Sequence, residues 1–353
     1  MTSGKDRSNR YFMTSVTRIS NLRDGDFDVA PIVRAQWADG DYVAARVTGR
    51  PSALYKIEIA NGRMVDMMQG DLVIGALGKR AATLEGVGDW EVVGEDGQMH
   101  ALTGAGLFGK ATSTSLMLPP LMSLKYLGHV QRSGEKQTMQ GFVRPVAQTD
   151  CTAPVVLMVG TSMSAGKTTA GRIVVHELCR AGLRVVGVKF TGAGRYRDTL
   201  SYGDAGAAEI LDFVDAGLPS TVVPEAQFTD AMRYMLSLAA AAKPDVVLAE
   251  AGASPLEPYN GTIAINALSE RLAFVVLCAS DPYAVVGVQT AFGLTPDVVT
   301  GPATNTTAGI ALIQKLTKLP ALNLMDPDSI PALRELLNKA LPDARFLPAE
   351  QEV

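Results

Sequence analysis

The side chains best suited to chemistry stand together between positions 160 and 169. Gly160, Thr161, Ser162, Ser164, Ala165, Gly166, Lys167, Thr168 and Thr169 form a run of small and hydroxyl residues around one lysine. An apolar stretch, Val155 to Gly160, leads into it, and an amphipathic segment over 170–181 follows. Strand, small-residue loop and helix in that order predict a phosphate-binding loop. Its backbone N–H groups turn onto phosphate oxygens, helped by the positive end of the helix. Lys167 then reaches the outer phosphates and the Thr168 hydroxyl takes a Mg²⁺ ion. Five residues separate Gly160 from Gly166, one more than in the common form of the loop.

Further candidates stand where other apolar strands end. The stretch up to Phe190 closes with Lys189 and continues through Thr191, Arg195 and Arg197. A lysine beside phosphates neutralises charge on a transferred phosphoryl group, and arginines fork onto a second substrate's carboxylate or phosphate. Asp204 is expected either to cap the next helix or to bind the metal. Glu250 ends the apolar run from Asp245, so it is expected to hold Mg²⁺. The proline-rich Ser254–Gly261 loop offers Glu257, Tyr259 and Asn260 to an acceptor or forms a plain turn, and Asn305 stands where the nucleotide base is read in many P-loop proteins.

The chain of 353 residues has room for two domains. Its formal net charge of −4, with no dense basic run, argues against a large nucleic-acid surface. The three cysteines are too scattered for a disulfide framework or zinc site. No apolar run approaches the roughly 20 residues that span a bilayer, and the polar N-terminus lacks a signal-peptide core. A cytoplasmic protein without membrane or nucleic-acid partners is expected.

The elements that position these residues read as follows. Residues 1–25 are expected to be a flexible start. Residues 26–130 alternate short strands and turns, including strands near 42–47, 54–59, 71–75, 90–93 and 98–102 with turns at Asn61-Gly62 and Asp96-Gly97, which predicts a small β-barrel or sandwich. A GxGxxG match at Gly104–Gly109 lacks a following helix and reads as a turn. His100 and His129 read as packing or surface residues. Residues 131–150 are polar and read as a linker. Residues 151–353 alternate buried strands (155–160, 183–190, 245–250, 272–280, 297–300, 320–324) with helices (170–181, 204–216, 229–242, 263–270, 283–290, 307–316, 330–340). That texture predicts an α/β fold with a mostly parallel sheet covered by helices on both faces, and ligands beyond the carboxyl ends of its strands.

The loop Gly160–Thr168, Gly187-Val-Lys-Phe-Thr191, Asp204 and Glu250-Ala-Gly-Ala253 together resemble the dethiobiotin synthetase type of P-loop domain, over about residues 153–330. The resemblance implies a metal shell of Thr168, Asp204 and Glu250, with Lys167 and Lys189 as an electrostatic pair. It further implies ATP and Mg²⁺ as cofactors, a small acid as substrate and a homodimer. The chain is also similar to the P-loop family that includes D-glutamate N-acetyltransferases, although Glu257-Pro258 stands where that family has His-Pro. The expected activity is ATP- and Mg²⁺-dependent activation of a small carboxylate. An acyl-CoA-dependent N-acyltransferase and a nucleotide-dependent switch or chaperone are the alternatives.

Overall fold

The computed structural model describes residues 10–342, 344 and 346. The expected flexible start falls partly outside them, at residues 1–9.

Among the described residues, the first half contains twelve strands: β1 (Tyr11–Met13), β2 (Asp28–Ala30), β3 (Tyr42–Thr48), β4 (Lys56–Glu58), β5 (Met64–Asp66), β6 (Leu72–Leu77), β7 (Arg80–Ala82), β8 (Gly86–Asp89), β9 (Gln98–Ala101), β10 (Leu107–Thr114), β11 (Ser123–Arg132) and β12 (Glu135–Lys136). Five of them close a ring in the order β6, β3, β11, β9, β10. Four of the junctions are antiparallel, and a short parallel pairing of Leu107 and Phe108 with Ala76 and Leu77 shuts it. The architecture is therefore a barrel, filled by Val43, Val47, Val73, Leu77, Met99, Phe108 and Leu124. The Asn61-Gly62 turn joins β4 to β5 as expected. Gly104 and Ala105 form the turn between β9 and β10.

Two boundaries differ from the sequence reading. Residues 11–13 form β1, paired parallel with β6, and Val16 is fully buried, so the start of the described chain belongs to the fold. The barrel also continues past 130 through the β11–β12 hairpin to Met139, which is buried and donates its amide to the Gly40 carbonyl. Trp90–Val92 is a 3-10 turn where a strand was expected, because Asp89 accepts the Glu91 amide at 2.8 Å and starts a turn.

Among the described residues, the second half holds six parallel strands: β13 (Val155–Gly160), β14 (Val185–Thr191), β15 (Glu209–Asp212), β16 (Val246–Ala251), β17 (Leu272–Cys278) and β18 (Val298–Thr300). Their order is β15-β14-β16-β13-β17-β18. Seven helices among the described residues accompany them: α1 (Lys167–Arg180), α2 (Tyr196–Asp204), α3 (Glu225–Ala241), α4 (Gly261–Leu268), α5 (Pro282–Phe292), α6 (Thr307–Thr317) and α7 (Ile330–Ala340). Alternate residues of one strand feed separate cores: Val155, Leu157 and Val159 face one, Val156 and Met158 the other. Both faces are thus covered, as the continuous apolar strands predict. β13, the loop after it and α1 follow one another in the strand, loop and helix order expected of a phosphate-binding loop. The expected helix over 204–216 does not form. Helix α2 starts earlier because Glu58 of the barrel accepts its first amides, Tyr196 N at 2.7 Å and Arg197 N at 3.0 Å. The left-handed Gly206 then ends the turn (φ +107°), and β15 pairs with β14. The expected strand at 320–324 contributes only a bridge from Ala321 to Val299.

The two halves share one core. Val16, Leu22, Tyr42 and Met139 pack in the same cluster as Phe213, Val214 and Leu218. Beside it, Arg18 donates to Asp212 and Asp215, each at 2.8 Å, and lies over the Tyr196 ring. Burial pushes Asp215 up to about 6, against the pull of Arg18. A carboxyl raised in the folded state contributes stability that is full below its unfolded value of about 4 and is lost as pH climbs through the folded value. Replacing it with Asn should therefore remove a fall in stability between roughly pH 4 and 6. Urea unfolding across that window checks this, and an unchanged difference between wild type and Asp215→Asn at every pH contradicts it. Arg18→Met, which strands the buried Asp212 and the half-buried Asp215, should lower urea-measured stability by about 3 kcal/mol.

Candidate functional site

Strands β13 and β16 are neighbours, so the loop after one faces the acid that ends the other. Helix α1 leaves this pair to reach β14, which lies beyond β16. The carboxyl ends of β13 and β16 therefore border a crevice at a change in strand order, where ligands bind in sheets of this kind. Gly166 takes a left-handed conformation (φ +93°) and opens α1 directly at Lys167.

Lys167 is 3% exposed, and its ammonium donates to the carbonyls of Ser162 at 2.7 Å and Ala253 at 2.9 Å. Its side chain crosses Gly160 so closely that a methyl group there would stand 2.6 Å from Nζ. Burial pulls the Lys167 pKa below the ordinary lysine value, with Glu250 pulling the other way. Ala253 adopts a left-handed conformation (φ +57°) although it is not glycine. Strain of that kind persists where surrounding contacts enforce it.

Glu250 is buried at the tip of β16. Its Oε2 accepts from the Tyr202 hydroxyl and lies 3.4 Å from Thr168 Oγ1. Thr168 and Glu250 thus stand side by side, two oxygens that could hold one small cation. Tyr202 is a participant that sequence reasoning missed. Its ring packs against Gly171 of α1 and Gly187 of β14, where a methyl group would meet it at 3.0 Å. Burial and the adjacent Glu250 hold its pKa well above the ordinary tyrosine value, so it remains a donor.

Lys189, buried two residues before the end of β14, pairs with Asp198 Oδ2 at 2.5 Å. Burial pulls its pKa down, but Asp198 and Glu250 more than reverse that and leave it raised. The acid facing the lysine is therefore Asp198, in the first turn of α2. Asp204 lies at the exposed far end of that helix and is absent from the cavity wall. It neither caps a following helix nor joins Thr168 and Glu250. Among the described residues no group of three His, Cys, Asp or Glu side chains gathers to hold a metal.

Lys167, Lys189, Thr168, Glu250 and Arg195 all line one cavity of about 530 Å³, whose other wall is the barrel. Leu54, Met64, Leu118 and Leu121 give that wall apolar surface, and Arg80, Glu85, Lys56 and Glu58 give it charge. Ser164 donates to Glu85 of the barrel at 2.7 Å. Local sequence carries no signal for these barrel residues, because the contacts join distant parts of the chain.

The remaining expected substrate residues are spent on structure. Thr191 is fully buried and donates to the Gly252 carbonyl at 3.1 Å. Glu257 accepts from Thr83 of the barrel, at 2.9 Å for the amide, and from Ser254 N at 2.7 Å. The Tyr259 hydroxyl accepts the Ala81 amide at 2.9 Å. Asn260 donates to the carbonyls of Thr221 and Val223. The proline-rich loop is thus a docking surface for the barrel. Arg197 is exposed and contributes its backbone to Glu58. Asn305 is exposed after a 3-10 turn, although neighbouring Gly301 and Pro302 do border Gly166.

No protein-family model and no curated protein matches the chain. Among solved structures, chloroplast FtsY from Physcomitrella patens is 16% identical with a TM-score of 0.36, over 50% of this chain and 59% of its own. A DUF1611 family protein from Anabaena variabilis is 16% identical with a TM-score of 0.36, over 57% and 63%. HypB from Helicobacter pylori, in complex with nickel, is 16% identical with a TM-score of 0.36, over 55% and 90%. The first two are spanned for less than two thirds of their length, and overlaps this loose leave the site to its own geometry.

If Tyr259 serves docking, Tyr259→Phe should lower stability by about 1–2 kcal/mol, the cost of a buried amide left without its acceptor. Urea unfolding measures it. Unchanged stability would return the hydroxyl to the list of substrate contacts.

Proposed function

We propose that this protein is an ATP- and Mg²⁺-dependent enzyme that activates a small carboxylic acid by phosphoryl transfer, in the manner of the dethiobiotin synthetases it resembles. One observation carries the reading: Lys167, Thr168, Glu250 and Lys189 converge on the tips of adjacent parallel strands, inside a cavity with room for a second substrate.

The P-loop amides and Lys167 would hold the phosphates, exchanging the carbonyls that Lys167 now contacts for phosphate oxygens. Thr168 and Glu250 would hold Mg²⁺, which needs only one or two protein oxygens beside those of the phosphates and water. When bound, the ion neutralises charge building on the phosphate oxygens. Lys189, kept protonated by Asp198, would lie beside the transferred group and stabilise its equatorial oxygens. A carboxylate oxygen of the acceptor attacks the γ-phosphorus, the bond to the β,γ-bridging oxygen breaks, and ADP leaves with the electron pair. The product on the acceptor is an acyl phosphate. No proton has to be removed from such an acceptor, which agrees with a cleft that contains no histidine. Arg195, at the mouth of the cavity, would meet the acid's second charge or its carboxylate.

Lys167→Ala should abolish stabilisation by ATP in thermal unfolding, and an unchanged shift counts against the P-loop as the nucleotide site. Glu250→Ala should remove Mg²⁺-dependent turnover by about a hundredfold or more while keeping part of the ATP affinity. Mass spectrometry of the products then sorts the chemistry. ADP formed only with a small acid supports phosphoryl transfer, whereas free CoA released from an acyl-CoA supports an N-acyltransferase.

A further inference from the structure

The barrel places two polar groups on the cavity wall whose bonding capacity is unused. Among the described residues, Arg80 Nε and Thr103 Oγ1 are buried without a hydrogen-bond partner. Both residues line the cavity that holds Lys167, Lys189 and Glu250. The rest of the Arg80 guanidinium is fixed. Its Nη1 donates to the Leu102 carbonyl at 2.7 Å, its Nη2 pairs with Glu85 Oε2, and the side chain is only 10% exposed. The other Glu85 oxygen, Oε1, accepts from Ser164 Oγ at 2.7 Å. One carboxylate therefore bridges a barrel guanidinium and a P-loop hydroxyl.

A hydroxyl and a guanidinium facing the same anion are also what a phosphate oxygen would take. We propose that Ser164 and Arg80 form a seat for the outermost phosphate of a bound nucleoside triphosphate, and that Glu85 holds this seat until the phosphate displaces it. The inference rests on the nucleotide reading above. A carboxylate and a phosphate at bonding distance from the same donors repel each other, so both cannot stay. Glu85 is free to leave: it stands on the short connection between β7 and β8 and its side chain is 26% exposed. Arg80 is not, because the Leu102 carbonyl anchors it. The phosphate, with more charge than a carboxylate, would then engage the fork that Glu85 vacates and the unpaired Nε. On this account the barrel completes the nucleotide site, and a diphosphate, lacking the outer group, gains little from the seat.

Calorimetric titration of the full chain with ATP and ADP, each with Mg²⁺, tests this in wild type, Glu85→Gln and Arg80→Lys. Glu85→Gln keeps the side chain's size but removes the competing charge. It should bind ATP about fivefold or more tighter, with ADP affinity within about twofold. Arg80→Lys, which keeps the charge but loses the fork, should bind ATP about tenfold more weakly, again with ADP nearly unchanged. A ratio of ATP to ADP affinity equal to the wild-type value in both variants, or moved in the opposite direction, overturns the seat while leaving the P-loop reading intact. A wild-type protein that binds neither nucleotide overturns both. If Arg80→Lys fails to fold, shown by loss of its cooperative thermal transition, Glu85→Gln alone decides.

Discussion

Charge balance among side chains buried at the strand tips is the constraint on which the rest of the structure depends. Two lysines and a glutamate are almost fully buried at the tips of three neighbouring strands. Isolated charges in such a place cost several kcal/mol each unless partners are supplied. The fold supplies them from every side. Carbonyls of the P-loop and of Ala253 receive Lys167, Asp198 from α2 receives Lys189, and Tyr202 donates to Glu250. Removing any of these partners leaves a buried charge exposed to its desolvation cost. That is why the arrangement demands a particular strand order and a particular helix start.

The barrel takes part in the same balance. Glu58 fixes where α2 begins and so where Asp198 meets Lys189. Arg18 joins the N-terminal segment to the end of β15. Glu257 and Tyr259 hold the β7 region of the barrel over the cavity. Sequence-distant pieces thus set the geometry at the strand tips, and the shared core of Val16, Tyr42 and Phe213 keeps them in register. The P-loop belongs to the second half alone, whereas the cavity is walled by both halves.

The parallel sheet, its P-loop and Glu250 were legible because each is written locally: an apolar run, a glycine–lysine–threonine turn, an acid at a strand end. The alternation of short strands also announced a barrel or a sandwich, without deciding between them. What stayed hidden depended on contacts across the chain. Asp204 looked like an acid of the site, yet the helix carrying it starts at Tyr196 and ends at Asp204, capped from 138 residues away by Glu58. The same early start turned the expected helix over 204–216 into an edge strand. Glu257, Tyr259 and Asn260 have the chemistry of substrate ligands, and nothing in their neighbourhood told that barrel amides and loop carbonyls would occupy them. Asp198 was within reach, as an acid in the first turn of the helix that follows the strand carrying Lys189. Arg80 and Glu85 had no local signature at all.

The central claim is that one ligand site is walled by the P-loop on one side and by the barrel on the other. Amide hydrogen exchange of the full chain, with and without ATP and Mg²⁺, reads both walls at once. The account predicts slower exchange in residues 161–169 together with the barrel segments 80–86 and 101–105. Protection confined to the second half, with the barrel segments unchanged, would contradict it.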